Sequence, residues 1–228
     1  MESEPTPPGD AYARVRAELV GALRSIDPAT AATHVPACPA WTVREVAAHV
    51  CGLNAELLAD IPGPLGSDEA TSRQVADRSD ASLGEVLDDW EEMAPAIGAR
   101  FAAEPERATA LLADLVVHAH DLKEVLDQPT AAADAATPVS AQRYIPLLQE
   151  RVLAETNAAL TVELDGGSNS PASPSDAAAA LTVRTSSHLF LRGVTGRLRR
   201  SEVEAFDWSD DPTEILNRAW TQYGPFRD

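Results

Sequence analysis

Two histidines and an aspartate are the residues of this 228-residue chain best suited to hold a reactive centre. Asp114 and His118 are four apart in ADLVVHAHDL, a spacing that puts both on one face of a helix, one turn from each other. His49 lies in a separate segment, REVAAHV, whose apolar residues recur at helical steps. If the helices carrying these segments face each other, two imidazoles and a carboxylate converge. Three such donors suit a divalent metal and leave one coordination position open, as catalytic rather than structural zinc sites do. The same residues are also satisfied without a metal, as buried polar groups paired with carboxylates at i,i+4, His49 with Glu45 and His118 with Asp114. Spacing leaves both readings open.

The elements that must position these residues are helical. Tyr12, Val15, Leu19, Leu23 and Ile26 recur at steps of three and four and predict a helix over 11–25. Thr42 with Glu45 forms a capping box that opens a second helix running to about residue 60. Between Pro62 and Ser79 the composition is Pro, Gly, Ser and charge, which predicts a mobile connection at one end of a bundle, of the kind that often borders a ligand site. Ser82 with Glu85 is a second capping box; its helix continues through Trp90, Met93 and Ile97 and ends before Glu104. A fourth helix spans about 106–126. With no strand alternating among them, four amphipathic helices predict a four-helix bundle rather than a parallel sheet.

After a linker over 128–140, a fifth helix over 139–157 leads out of the bundle. The texture then changes: residues 159–164 and 181–185 are short β-branched runs, separated by a Gly/Ser/Pro/Asn tract that predicts a flexible loop. Short helices are expected over 187–195 and 211–223. The expected architecture is therefore mainly α, a bundle over 1–157 followed by a small α+β domain over 158–228.

Composition bounds the function. Asp and Glu outnumber Lys and Arg by 36 to 18, a net charge of −18, which opposes binding to nucleic-acid phosphates or anionic lipid. No apolar run approaches the length of a membrane span, and the N-terminal MESEPTPPGD has neither the basic nor the apolar region of an export signal. Two cysteines make no disulfide framework, so a reducing cytoplasm is the expected compartment. Neither Cys38 nor Cys51 belongs to a C-x-x-C pair, and both read as reduced structural cysteines. His34 and His188 have no partner pattern.

Three ordered motifs carry a resemblance to a known family. CPAWTVREVAAHV (38–50) resembles the first signature of the mycothiol-dependent maleylpyruvate isomerase family, a branch of the DinB-like metalloenzyme superfamily. DLVVHAHDL (114–122) is similar to its second signature, and TGRLRRSEVEAFDWSDDPTEIL (195–216) with YGPF (223–226) to its C-terminal tail. The resemblance spans nearly the whole chain. It implies a DinB-like bundle with a divalent metal, usually zinc, held by His49, Asp114 and His118, where Asp114 replaces the Glu of the better-known isomerases and is one methylene shorter. It also implies mycothiol, an actinobacterial thiol, as cosubstrate; the Ala-rich composition with Lys123 as sole lysine fits such a source.

A thiol near pKa 8.5 is mostly protonated at neutral pH, and coordination to a dication removes that proton. The thiolate would then attack a small electrophile, either adding reversibly to a double bond in a cis-trans isomerisation or displacing a leaving group in S-transfer. Arg197 is the cation expected to face a carboxylate-bearing substrate or a developing enolate, with Arg199 and Arg200 as alternatives. Asp121 is expected to brace helix ends or a group behind the ligands rather than to bind metal, His120 to lie at the surface or donate to a ligand, and Trp41 to plug the bundle beside the centre. Competing functions on the same scaffold are a non-catalytic binding or regulatory module and a DinB-like hydrolase using water in place of the thiol.

Overall fold

A computed structural model describes residues 6–63, 66–127, 130–165, 168–170 and 179–227. It is mainly helical and divides into two compact units, Met1–Ala136 and Thr137–Asp228. The first unit opens with α1 (Pro8–Arg24) and the single turn α2 (Pro28–Ala31), then β1 (His34–Val35) and β2 (Cys38–Thr42), which pair antiparallel. Next come α3 (Val43–Leu58), α4 (Asp68–Ala76), α5 (Leu83–Glu92), α6 (Ala94–Ala103) and α7 (Pro105–Leu126). Helix α8 (Ala131–Thr156) continues into the second unit.

Local chemistry accounts for the helix starts. Thr42 accepts from the Glu45 amide while Glu45 Oε2 accepts from the Thr42 amide at 2.8 Å, so the first orphan donors of α3 are satisfied reciprocally. Ser82 and Glu85 do the same for α5. The predicted third helix is two: α5 ends at Met93 because Pro95 has no amide proton and its ring crowds the carbonyl four residues back. The stretch predicted as a loop between Pro62 and Ser79 contains α4, capped by the Ser67 hydroxyl on the Ala70 amide; residues 64–65 lie outside the described residues. The predicted linker likewise contains the start of α8, since the alanines at 131–133 and 135–136 favour helix enough to carry Pro138 inside it, and the Glu18 carboxylate accepts from the Ala132 amide.

In the bundle α1 packs on α7, α6 and α5, and α3 on α4, α5, α7 and α6. Apolar side chains fill the space between them, Leu23, Leu57, Leu87, Trp90, Leu112 and Leu115 being almost fully buried. A polar group lies among these apolar side chains. Tyr12 Oη donates to Asn54 Oδ1 at 3.0 Å and lies within reach of the Asn54 amide and, at 3.4 Å, of Trp90 Nε1. Burial, the largest influence, pushes the phenol well above its ordinary range; the bonds to Asn54 and Trp90 pull it part of the way back, and the Asp114 charge raises it again. Tyr12→Phe leaves the buried Asn54 without this partner and should cost about 1–3 kcal/mol. A raised native pKa gives stability that is complete below the free phenol's value and lost as pH rises past about 10, so the wild-type urea midpoint should fall between pH 9 and 11 while that of Tyr12→Phe changes less.

The second unit holds a sheet of order β4-β3-β5-β6, made of β3 (Ala158–Leu164), β4 (Ser168–Ser170), β5 (Ala179–Thr185) and β6 (Asp207–Trp208). The two strands expected from sequence, β3 and β5, lie side by side and parallel, Leu160 opposite Leu181; β4 and β6 flank them antiparallel. Of the tract expected to be a flexible loop, residues 166–167 and 171–178 lie outside the described residues. Helices α9 (Ser187–Val194), α10 (Arg200–Glu204) and α11 (Thr213–Arg218) complete the unit. The Asp165 carboxylate takes both the amide and hydroxyl of Ser187 at the start of α9, which holds its acid below the usual range.

Candidate metal centre

His49 stands on the second turn of α3, while Asp114 and His118 stand one turn apart in the middle of α7, which packs on α3. The donor atoms of the three residues all lie within 4.8 Å of one another. His49 Nε2 is 3.6 Å from Asp114 Oδ2 and His118 Nε2 is 3.8 Å from Asp114 Oδ1, too long for hydrogen bonds. Two donors each about 2.1 Å from one ion stand roughly 3.4 Å apart at the tetrahedral angle, so these separations suit atoms that share an ion. Both imidazoles are buried, whereas the Asp114 side chain is 29% exposed and marks the side on which the centre opens.

The pairing of His49 with Glu45 that spacing allowed does not form, because Glu45 is engaged with Thr42 at the helix cap, which also holds its acid below the usual range. The partner of His49 is Gln74, 25 residues on: its Oε1 lies 2.8 Å from His49 Nδ1. Gln74 Nε2 in turn donates to Glu56 Oε2 at 2.7 Å, and Arg73 Nε donates to Glu56 Oε1 at 2.8 Å. This chain depends on α4 lying against α3, and Gly52 permits that approach. A Cβ at residue 52 would stand 2.7 Å from the Cβ and 3.0 Å from the Cα of Gln74. Sequence reasoning missed Gln74, whose only signal was the Ser67 cap at the head of a short polar helix.

On the other ligand candidate, His118 Nδ1 faces the fully buried Asp121 carboxylate at 3.2 Å, off the axis of an ideal hydrogen bond. The Asp121 carboxylate thus lies against the His118 ring. Cys38, carried by β2, comes close enough that its sulfur and donor atoms of His118 and Asp121 also fall within 4.8 Å. A neutral imidazole has one lone pair, so His118 can serve this group or the group with His49 and Asp114, not both. With its Nδ1 turned to a carboxylate, it offers Nε2 toward Asp114.

Trp41, also on β2, lies across both rings, its centroid 4.9 Å from that of His49 and 6.1 Å from that of His118. It remains half-buried, so it walls the centre rather than plugging the bundle. His120, expected at the surface or as a donor to a ligand, is buried with Nδ1 3.8 Å from Asp134. Cys51 is buried and burial pushes its thiol up, away from the range of a reactive thiolate. His34 is exposed with Nδ1 3.0 Å from the Pro39 carbonyl, and His188 is exposed on α9.

Arg197 belongs to the second unit, in the loop between α9 and α10, where its Nη1 donates to the Thr195 carbonyl at 2.7 Å. Arg200 is engaged with Glu204 and Asn217 on the surface, and the Arg199 amide donates to Glu202 at the start of α10.

Comparison with known proteins bears on the fold. The chain is similar over 89% of its length to the crystal structure of the mycothiol-dependent maleylpyruvate isomerase, at a TM-score of 0.57 and 17% identity, covering 91% of that chain. It is similar over the same shares of both chains to a histidine-to-alanine mutant of that isomerase, at a TM-score of 0.55 and 16% identity. At such identities the likeness is one of fold. No curated protein matches the sequence. The family model described as the mycothiol maleylpyruvate isomerase N-terminal domain matches residues 12–142, which takes in α1 from Tyr12 on, the β1–β2 pair, all of α3 to α7 and every residue of the candidate centre, and the chain belongs to that family.

Proposed function

We propose that this protein is a metal-dependent enzyme that uses mycothiol against a small electrophile, as an S-transferase or a cis-trans isomerase. The observation that carries the reading is the convergence of His49, Asp114 and His118, with both imidazole Nε2 atoms turned to one partly exposed carboxylate. A divalent ion held there, zinc by the chemistry of the donor set, supplies the charge that lets a thiol ionise at neutral pH.

The chain's own residues do the rest. His49 and His118 offer neutral lone pairs and Asp114 a single negative charge, so three protein donors leave one position for the thiol. Gln74 and Asp121 hold the far nitrogens of the two rings. The indole of Trp41 covers their faces and keeps water from that side, while the exposed edge of Asp114 leaves an approach for cosubstrate and electrophile.

Metal analysis coupled to a mycothiol titration tests the reading. The wild-type protein, purified without tag or chelator, should carry one divalent ion per chain and bind mycothiol. His118→Ala should carry none and bind the thiol at least about 100-fold more weakly, more than loss of a mere supporting group costs. Equal thiol binding by both proteins, or a wild type that takes up no ion, would overturn it.

A further inference from the structure

We propose that Glu56, acting through the amide of Gln74, fixes the protonation pattern of His49, so that Gln74 and Glu56 are positioning residues for this centre. The inference rests on reading His49 as a ligand, but its core concerns the protein alone.

An amide has an oxygen that only accepts and a nitrogen that only donates, and either end of Gln74 would fit against an imidazole. Glu56 removes the choice. Its carboxylate only accepts, and with Oε2 2.7 Å from Gln74 it takes the NH2 end. The Gln74 oxygen must then face His49, 2.8 Å from Nδ1. An oxygen there requires a proton on Nδ1, and a neutral imidazole protonated at Nδ1 keeps its lone pair on Nε2, the atom that faces Asp114. Two hydrogen bonds thereby carry the sign of a carboxylate on the fourth turn of α3 to a nitrogen on the second turn. The far end is anchored too, since Arg73 at the surface holds the other oxygen of Glu56. Gln74 is 1% exposed and Glu56 7%, so water competes little for either bond. His118, by contrast, faces the Asp121 carboxylate at 3.2 Å from its Nδ1.

The test is a swap. Glu56→Gln keeps the shape but removes the group that dictates the amide's orientation, so both ends of Gln74 can face the ring. Glu56→Gln/Gln74→Glu exchanges amide and carboxylate: the carboxylate then sits against His49 and accepts from Nδ1 and from the new amide, so the chain is re-formed. Histidine nitrogen NMR of the metal-free proteins reads the tautomer. We expect His49 to be protonated at Nδ1 in the wild type, to show a mixture in Glu56→Gln, and to return to Nδ1 in the double variant. Zinc affinity should fall by roughly 10–100-fold in the single variant and recover in the swap. A His49 ring that stays protonated at Nδ1 in Glu56→Gln, or a swap no better than the single change, overturns the proposal. If the tautomer follows the swap while even the wild type takes no zinc, the positioning role is upheld and the metal-centre reading falls.

Discussion

Asp114→Asn should leave the fold intact and deprive the centre of its ion. The two side chains are nearly isosteric, and the carboxylate is partly exposed, so the change strands no buried charge. What disappears is the single negative charge that both imidazoles face. Against two neutral rings and an uncharged amide, a dication loses its one anionic partner. The affinity for zinc should fall by more than the roughly 100-fold that changes to a ligand's supporting groups reach. Thiol-dependent turnover should fall with it, and added zinc at high concentration should restore part of it. A chelator competition and a thermal melt check the two halves: unchanged zinc affinity with an unchanged melt would refute the assignment of Asp114.

Trp220→Ala should be the most damaging single change in the second unit. The indole is 1% exposed and meets Phe190, Phe206 and Trp208 edge-on, with ring centroids 6.1, 6.2 and 5.2 Å away. Truncating a buried aromatic of this size costs about 3–5 kcal/mol, from lost burial and from a cavity the neighbours cannot fill. Each edge-to-face pair adds about 0.5–1.5 kcal/mol beyond area alone. Near-UV circular dichroism should lose the tryptophan signal of the cluster, and the urea transition that reports it should move to lower denaturant. A loss below about 1 kcal/mol would mean that the surrounding side chains collapse into the space.

The sequence is most legible where local chemistry decides. The two capping boxes, Thr42 with Glu45 and Ser82 with Glu85, start α3 and α5 where the hydroxyl–carboxyl spacing puts them. Tyr12, Val15, Leu19 and Leu23 form one buried stripe on α1, as their steps of three and four require. The i,i+4 spacing of Asp114 and His118 likewise sets two of the three donor groups beside each other. Legibility fails where tertiary packing decides. The nine residues of α4 are mostly polar, and only Ala70 and Gln74 are buried, so no periodic signal separates this helix from a loop. The helix is held by α3, 10 and more residues earlier, and the partner it brings to His49 cannot be read from spacing. The apolar pattern continues across Pro95, so α5 and α6 read as one helix in sequence although the proline separates them. The strands β1, β2, β4 and β6 are two to five residues long, and such pieces exist through their pairing rather than through propensity.

Where α3 and α4 cross, Gly52 leaves no room for a side chain, since even a methyl group there would press on the Cα and Cβ of Gln74. Relatives that carry alanine or a larger residue at the matching position must hold the two helices farther apart, and an amide opposite could no longer reach the imidazole. Positions 52 and 74 should therefore vary together across descendants of this fold: glycine beside glutamine, or a bulkier pair in which some other acceptor has taken over the histidine's proton.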